Sequence, residues 1–200
     1  MHQGKAMQTA IDPEIDGESR SFKQFTVGSF SDENASKSDF ERRLTNCSRW
    51  FKVHREVAGQ SIQPKYGVDG WSGGLRIDYV LQPSIELQQA GWDRGCIGIE
   101  CKRSGKGIGP IVCQCLDYTR TVWKVGSGTL LMLQWVFIWP LGHVVGDIES
   151  VMAQHRIGSA GFDNWSMLSF RVGAQHVIRI DHAGIATVKV PLSGRKAGSR

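Results

Sequence analysis

Apolar residues along the chain recur in short runs separated by glycine and proline, and the spacing within each run predicts an element. Residues 1 to 37 keep no period and are rich in Ser, Asp, Glu and Gly, which predicts a loose arm with at most one short strand around Phe22 to Phe30. Ser38-Asp39-Phe40-Glu41 then has the form of a capping box, and Phe40, Leu44 and Cys47 follow at helical spacing, so the first helix is expected to start at Ser38. Alternation from Trp50 to Val57 predicts a strand, and the glycines and Pro64 between Ala58 and Gly74 predict turns. In Leu75-Arg76-Ile77-Asp78-Tyr79-Val80-Leu81 a second strand is predicted, with Leu75, Ile77, Tyr79 and Leu81 on one face and Asp78 on the other. A loop from Pro83 to Gly95 has room for one helical turn. Ile97-Gly98-Ile99-Glu100-Cys101-Lys102 predicts the third strand, turning Ile97, Ile99 and Cys101 to the core and Gly98, Glu100 and Lys102 to the opposite face.

Beyond Lys102 the pattern changes. Arg103-Ser104-Gly105-Lys106-Gly107-Ile108-Gly109-Pro110 is a basic, glycine-rich loop without the order of a P-loop. Pro110 can open a helix running to about Lys124, on which Gln114 and Tyr118, four apart, share a face. Gly128 to Trp139 is apolar on both faces and predicts one central strand. Gly146 to Gln154 predicts a short helix with Asp147 near its start. From Met167 alternation returns in three strands, separated by turns at Gly173-Ala174 and Asp181-His182-Ala183-Gly184. Residues 193–200 form a basic tail. The expected organisation is therefore an arm over 1–37, a single domain over 38–192 and the tail.

Composition narrows the class. Hydrophobic residues make up 40% and charged residues 22% of 200 positions, ordinary for a globular chain with a real core. Twenty-four Lys and Arg against 19 Asp and Glu give a net charge of +5, which favours polyanionic partners. Five cysteines, an odd number with two in apolar stretches, suit reduced thiols; Cys113 and Cys115 lack the spacing of a zinc site and read as small core residues. The first residues carry no apolar signal core, and the run from Thr129 to Pro140 is too short to cross a bilayer, so a cytoplasmic location without a membrane partner is expected.

If the second and third strands pair, Asp78 and Glu100 converge, with Lys102 on the face of Glu100. Such charges are commonly a solvated cross-strand ion-pair cluster. Two carboxylates also suit a hard divalent cation, and a cation beside it can orient or deprotonate a water.

The order helix, strand, strand with Asp78, strand with Glu100-Cys101-Lys102, helix, apolar strand resembles the PD-(D/E)xK nuclease superfamily over residues 38 to 140, and Gln114-x-x-x-Tyr118 resembles the Q-x-x-x-Y element of its RecB-type and phage members. Ile77 stands where the family often has proline. The resemblance implies an α/β (α+β) fold, a restriction-endonuclease-like αβββαβ core around a mixed sheet, here with extra C-terminal strands in 141–192. It implies a metal-dependent DNA endonuclease in which Asp78, Glu100 and the Cys101 backbone carbonyl hold Mg²⁺ or Mn²⁺, Lys102 assists the attacking water, Gln114 steadies that water or Lys102, and Glu41 serves a second metal or its water. Tyr118 would lie near the scissile phosphate. Arg103, Lys106, Arg76, Arg120 and Lys65 are the expected phosphate contacts on duplex or branched DNA, and a homodimer that cuts both strands is one expected form. Two other classes fit the same residues: a catalytically silent nucleic-acid-binding module, and a protein-interaction protein with a basic surface.

Overall fold

The computed structural model describes residues 30–62, 74–92, 95–141, 147–162, 167–173 and 175–189. Among them the chain is a mixed α/β structure: one ten-stranded mixed sheet with two helices on each face. The strands are β1 (Phe51–Ser61), β2 (Leu75–Pro83), β3 (Ile97–Cys101), β4 (Thr121–Val125), β5 (Thr129–Met132), β6 (Trp135–Trp139), β7 (Ile157–Phe162), β8 (Leu168–Val172), β9 (Gln175–Ile180) and β10 (Ile185–Val188). The helices are α1 (Glu33–Thr45), α2 (Ile85–Gln89), α3 (Ile108–Tyr118) and α4 (Asp147–Gln154). Across the sheet the order is β10-β9-β8-β7-β6-β3-β2-β1-β4-β5. The pairs β3–β6 and β6–β7 are parallel and the others antiparallel.

The sheet has apolar residues on both faces because it is covered on both. Phe40 and Leu44 of α1 and Leu87 of α2 pack with Ile97, Ile99, Cys101, Phe137 and Phe170 on one side. Ile111, Val112, Cys115 and Tyr118 of α3 and Met152 of α4 pack with Val80, Val136, Ile138 and Ile157 on the other. No helix among the described residues is long and apolar enough to cross a membrane.

Several elements differ from the sequence reading. Helix α1 begins at Glu33, not Ser38: Asp32 is its N-cap, accepting a hydrogen bond from the Ala35 N–H at 2.8 Å, so Ser38 lies inside the helix. Glu41 is thus not a capping-box acid. The helix expected from Pro110 to Lys124 ends at Tyr118, where the Thr119 and Thr121 hydroxyls donate to the carbonyls of Leu116 and Asp117 and release the chain into β4. The expected strand from Gly128 to Trp139 is two strands broken at Leu133-Gln134, one on the β4 side of the sheet and one at its centre. Strand β7, rich in small residues, had no predicted counterpart. Cys113 is exposed, whereas Cys115 is buried.

The faces of β2 also depart from simple alternation. Tyr79 and Leu81 pack on the α1 side, but Leu75 and Ile77 pack on the α3 side. Its partner β1 switches with it, with Phe51 and Val53 on the α1 side and Val57 on the other. The switch falls at Glu56, which lies between the pairs Arg55↔Tyr79 and Val57↔Ile77 and has a left-handed φ of 46°. A residue in that conformation rotates the strand about its axis, and Asp78 sits opposite the rotation.

Candidate active site

Strands β2 and β3 pair as Tyr79↔Ile99, Val80↔Gly98 and Leu81↔Ile97, and one more step of that register sets Asp78 beside Glu100. The sequence therefore brings both carboxylates to the carboxyl end of β3 by strand geometry alone. Asp78 Oδ2 accepts the Cys101 backbone N–H at 2.7 Å, which fixes the carboxylate against β3. Glu100 is 3% exposed. Its Oε1 accepts from Lys102 Nζ at 2.5 Å, and its Oε2 is buried with no hydrogen-bond partner. Lys102, also buried, donates its backbone N–H to the Trp139 carbonyl at 2.7 Å, which seats the residue after β3 onto β6.

Helix α1 closes the site from one side. The Trp139 indole N–H donates to the Ser36 carbonyl at 3.2 Å, and Phe30 and Ser104 exchange two hydrogen bonds that tie the start of α1 to the basic loop. This docking brings Glu33 Oε1 to 3.3 Å from Lys102 Nζ and 3.8 Å from Lys106 Nζ. One turn on, Lys37 Nζ lies 2.5 Å from Asp78 Oδ1 and 2.7 Å from Glu56 Oε1. Glu33, Lys37 and Glu56 were not among the predicted site residues. The signal that could have found the first two is Asp32-Glu33, an N-cap followed by a first-turn acid, which extends α1 back into the polar arm.

Electrostatics follow from burial and proximity. Burial, and then the Asp78 charge, push the Glu100 carboxyl up to about 7, against the pull of Lys102. Burial opposes the Lys102 ammonium more than any single partner favours it, but the hydrogen bonds and charges of Glu100 and Glu33 together outweigh this and hold it above the ordinary lysine value. Lys37 is raised likewise, with desolvation overcome by its hydrogen bonds to Asp78 and Glu56.

A divalent cation fits this donor set. Glu100 Oε2 is an orphaned buried oxygen, and the neighbouring Asp78 charge makes an uncompensated Glu100 costly. Among the described residues no group of three or more His, Cys, Asp and Glu side chains converges, and Asp78 and Glu100 would be the two carboxylates offered to a cation. Cys101 provides backbone at the end of β3, while its side chain is buried in the core.

The remaining expected site residues fall in different places. Gln114 Nε2 donates to the Tyr118 hydroxyl at 2.5 Å, and that hydroxyl donates to the Arg76 carbonyl at 2.8 Å. Tyr118 is buried, so it meets β2 two residues before Asp78 and not a surface where a phosphate would sit. Burial and the Glu100 charge raise its phenol above the ordinary value. Glu41 accepts from Arg55 at 2.7 Å and lines a cleft of about 220 Å³ with Asn34, Lys37, Ser38, Arg55, Glu56 and Tyr79, beside Asp78 and not in the carboxylate pair. Arg103, Lys106 and Arg120 are exposed, and Arg76 is exposed with Nη1 3.8 Å from Glu56. Lys65 lies outside the described residues. No space opens beside Gly98 on the face where a side chain would point: a Cβ there would come within 2.5 Å of Ile77 and Leu133 side-chain atoms.

Comparison of the chain with protein-family models, with curated proteins and with solved structures finds no match.

Proposed function

We propose that the chain is a metal-dependent DNA endonuclease of PD-(D/E)xK type. The observation that carries the reading is Glu100: a buried carboxylate with one oxygen on Lys102 and the other unpartnered, set beside Asp78. Support also comes from the succession α1, β1, β2, β3, α3 and a β6 parallel to β3, which is compatible with the αβββαβ core that the sequence resembles once α2, inserted before β3, and the β4–β5 pair, inserted before β6, are set aside.

In this reading Asp78 and Glu100 hold Mg²⁺ or Mn²⁺, which when bound supplies the charge that polarises the phosphate and acidifies a water. The chain's own groups do the rest. Lys102, held protonated by Glu100 and Glu33, donates hydrogen bonds to the attacking water and to the charge that develops on the phosphoryl oxygens. Asp78 cannot swing away, because the Cys101 N–H fixes it. Gln114 and Tyr118 act through β2 by holding the Arg76 carbonyl. Arg76, Arg103, Lys106 and Arg120 present positive charge to the DNA backbone around the carboxyl end of β3.

A second reading is favoured by the pairing of each carboxylate with a lysine, Asp78 with Lys37 and Glu100 with Lys102, which describes a self-compensated ion-pair cluster in a binding module. Cleavage of linear duplex, single strand, flap and four-way-junction DNA separates the two. With Mg²⁺ or Mn²⁺ the wild type is expected to cut at least one substrate. Asp78→Asn and Lys102→Met should each lower the rate by about 10² or more while DNA binding persists. No cleavage of any substrate by the wild type in Mn²⁺ would sink the nuclease reading.

A further inference from the structure

Lys37 bridges two carboxylates that differ in their surroundings. Side-chain exposure rises along the bridge from 11% at Asp78 through 26% at Lys37 to 47% at Glu56. Lys37 and Glu56 line one cleft together with Glu41, and Asp78 is not in its lining. An ammonium has three donors, so Lys37 can give up one acceptor and stay paired with the other, 2.7 Å away, without leaving a bare charge in the site. Glu56 keeps that second acceptor in place from a left-handed backbone at φ 46°, at the point where β1 and β2 exchange faces.

A divalent cation on Asp78 would meet an ammonium already 2.5 Å from Oδ1. Two like charges on one carboxylate repel strongly where water is scarce. On the reading that Asp78 and Glu100 hold the metal, we infer that Lys37 is a positioning residue that occupies Asp78 in the metal-free protein and passes to Glu56 when the cation binds. Lys37 and Glu56 together then set the affinity of the site for the metal. A fixed tie between α1 and β2 would make a different prediction: removing Lys37 would loosen the protein and leave metal affinity unchanged or weaker.

The test is Mn²⁺ binding to the full chain without DNA, followed by the electron paramagnetic resonance signal of free Mn²⁺ at constant ionic strength, with thermal melts alongside. Lys37→Met is expected to bind Mn²⁺ roughly tenfold or more tightly than wild type, since no ammonium has to be displaced. Glu56→Gln should bind several-fold more weakly, because Lys37 then has only Asp78. On the Lys37→Met background the Glu56→Gln change should lose most of its effect, which distinguishes a handover from the loss of one negative charge. Equal or weaker binding by Lys37→Met overturns the inference, as does a Glu56→Gln effect of the same size in both backgrounds. If Lys37→Met does not fold, unchanged affinity in Glu56→Gln alone overturns it. Asp78→Asn separates this failure from that of the underlying reading. Mn²⁺ bound alike by wild type and Lys37→Met but not by Asp78→Asn leaves the metal site standing and removes the role of Lys37. Mn²⁺ bound by none of the proteins, or by Asp78→Asn as by wild type, removes both.

Discussion

Glu100 is under two opposing demands, one from the water it has lost and one from the lysine it has gained. Burial and Asp78 favour its neutral form, whereas Lys102 favours the carboxylate, and the balance lies at about 7 against an ordinary 4.5. Between those values the folded chain binds a proton that the unfolded chain has released, so stability falls as pH rises from about 4.5 to about 7. The loss through this one group is at most on the order of 3 kcal/mol. Lys37 and Lys102 do not cancel it: their raised values add stability that persists through neutral pH and is lost only above the ordinary lysine range. Denaturant unfolding of metal-free wild type from pH 4.5 to 8, beside Glu100→Gln, should show this fall in the wild type and a flatter profile in the variant. Saturating Mg²⁺ should flatten the wild-type profile as well, because a cation restores the carboxylate. Parallel profiles with and without Glu100 would mean that its charge is already compensated.

Helix α3 acts on the site through β2, since the Tyr118 hydroxyl joins Gln114 to the Arg76 carbonyl. Tyr118→Phe removes the donor to that carbonyl and leaves the Gln114 amide without this acceptor. Net loss of such bonds at a buried hydroxyl costs about 1–3 kcal/mol. A fall in cleavage rate should accompany it, because Asp78 is two residues along the strand; Gln114→Ala should slow cleavage with a smaller stability loss. Chemical melts and rates on the same samples check this, and a stability loss with no change in rate would confine Tyr118 to packing. The paired faces of α3 were legible in the sequence because Gln114 and Tyr118 are four apart, and the alternation around Asp78 and Glu100 set β2 and β3. What could not be read were the breaks. Thr119-Arg120 ends α3, and Leu133-Gln134 divides β5 from β6, without glycine or proline at either place. Helix α1 was hidden for a different reason: its first two turns bury Ser36 but no apolar side chain, so periodicity starts only at Phe40. Lys37 was lost to the site with it, and Glu56 by a left-handed residue that alternation alone would not place.

Across the whole molecule, charge and topology make a joint prediction. Antiparallel pairing brings the start of β2 to the end of β3, and Arg120, whose carbonyl accepts from the Ile62 N–H at 3.1 Å, lies at that same end of β1 and β4. Arg76, Arg103, Lys106 and Arg120 therefore lie at the end of the sheet that carries Asp78 and Glu100, although Lys106 shares Glu33 and Arg76 shares Glu56. Lys52, by contrast, pairs with Gln82 at the opposite end of the β1–β2 ladder, and Lys189 follows the edge strand β10. A net charge of +5 would attract DNA wherever it sat, but counterion release counts the phosphates met at the docking face. Duplex binding to the chain in Ca²⁺, measured over a range of salt, should fall linearly on a double-logarithmic plot. Arg103→Ala/Lys106→Ala should reduce that slope by about 2, at about 0.9 per phosphate contact, and weaken binding to all sequences alike. The charge-matched pair Lys52→Ala/Lys189→Ala should leave the slope unchanged. Equal losses from the two pairs would place DNA diffusely on the basic surface instead of over the carboxylates, and a nuclease acting at Asp78 and Glu100 would then lack its substrate face.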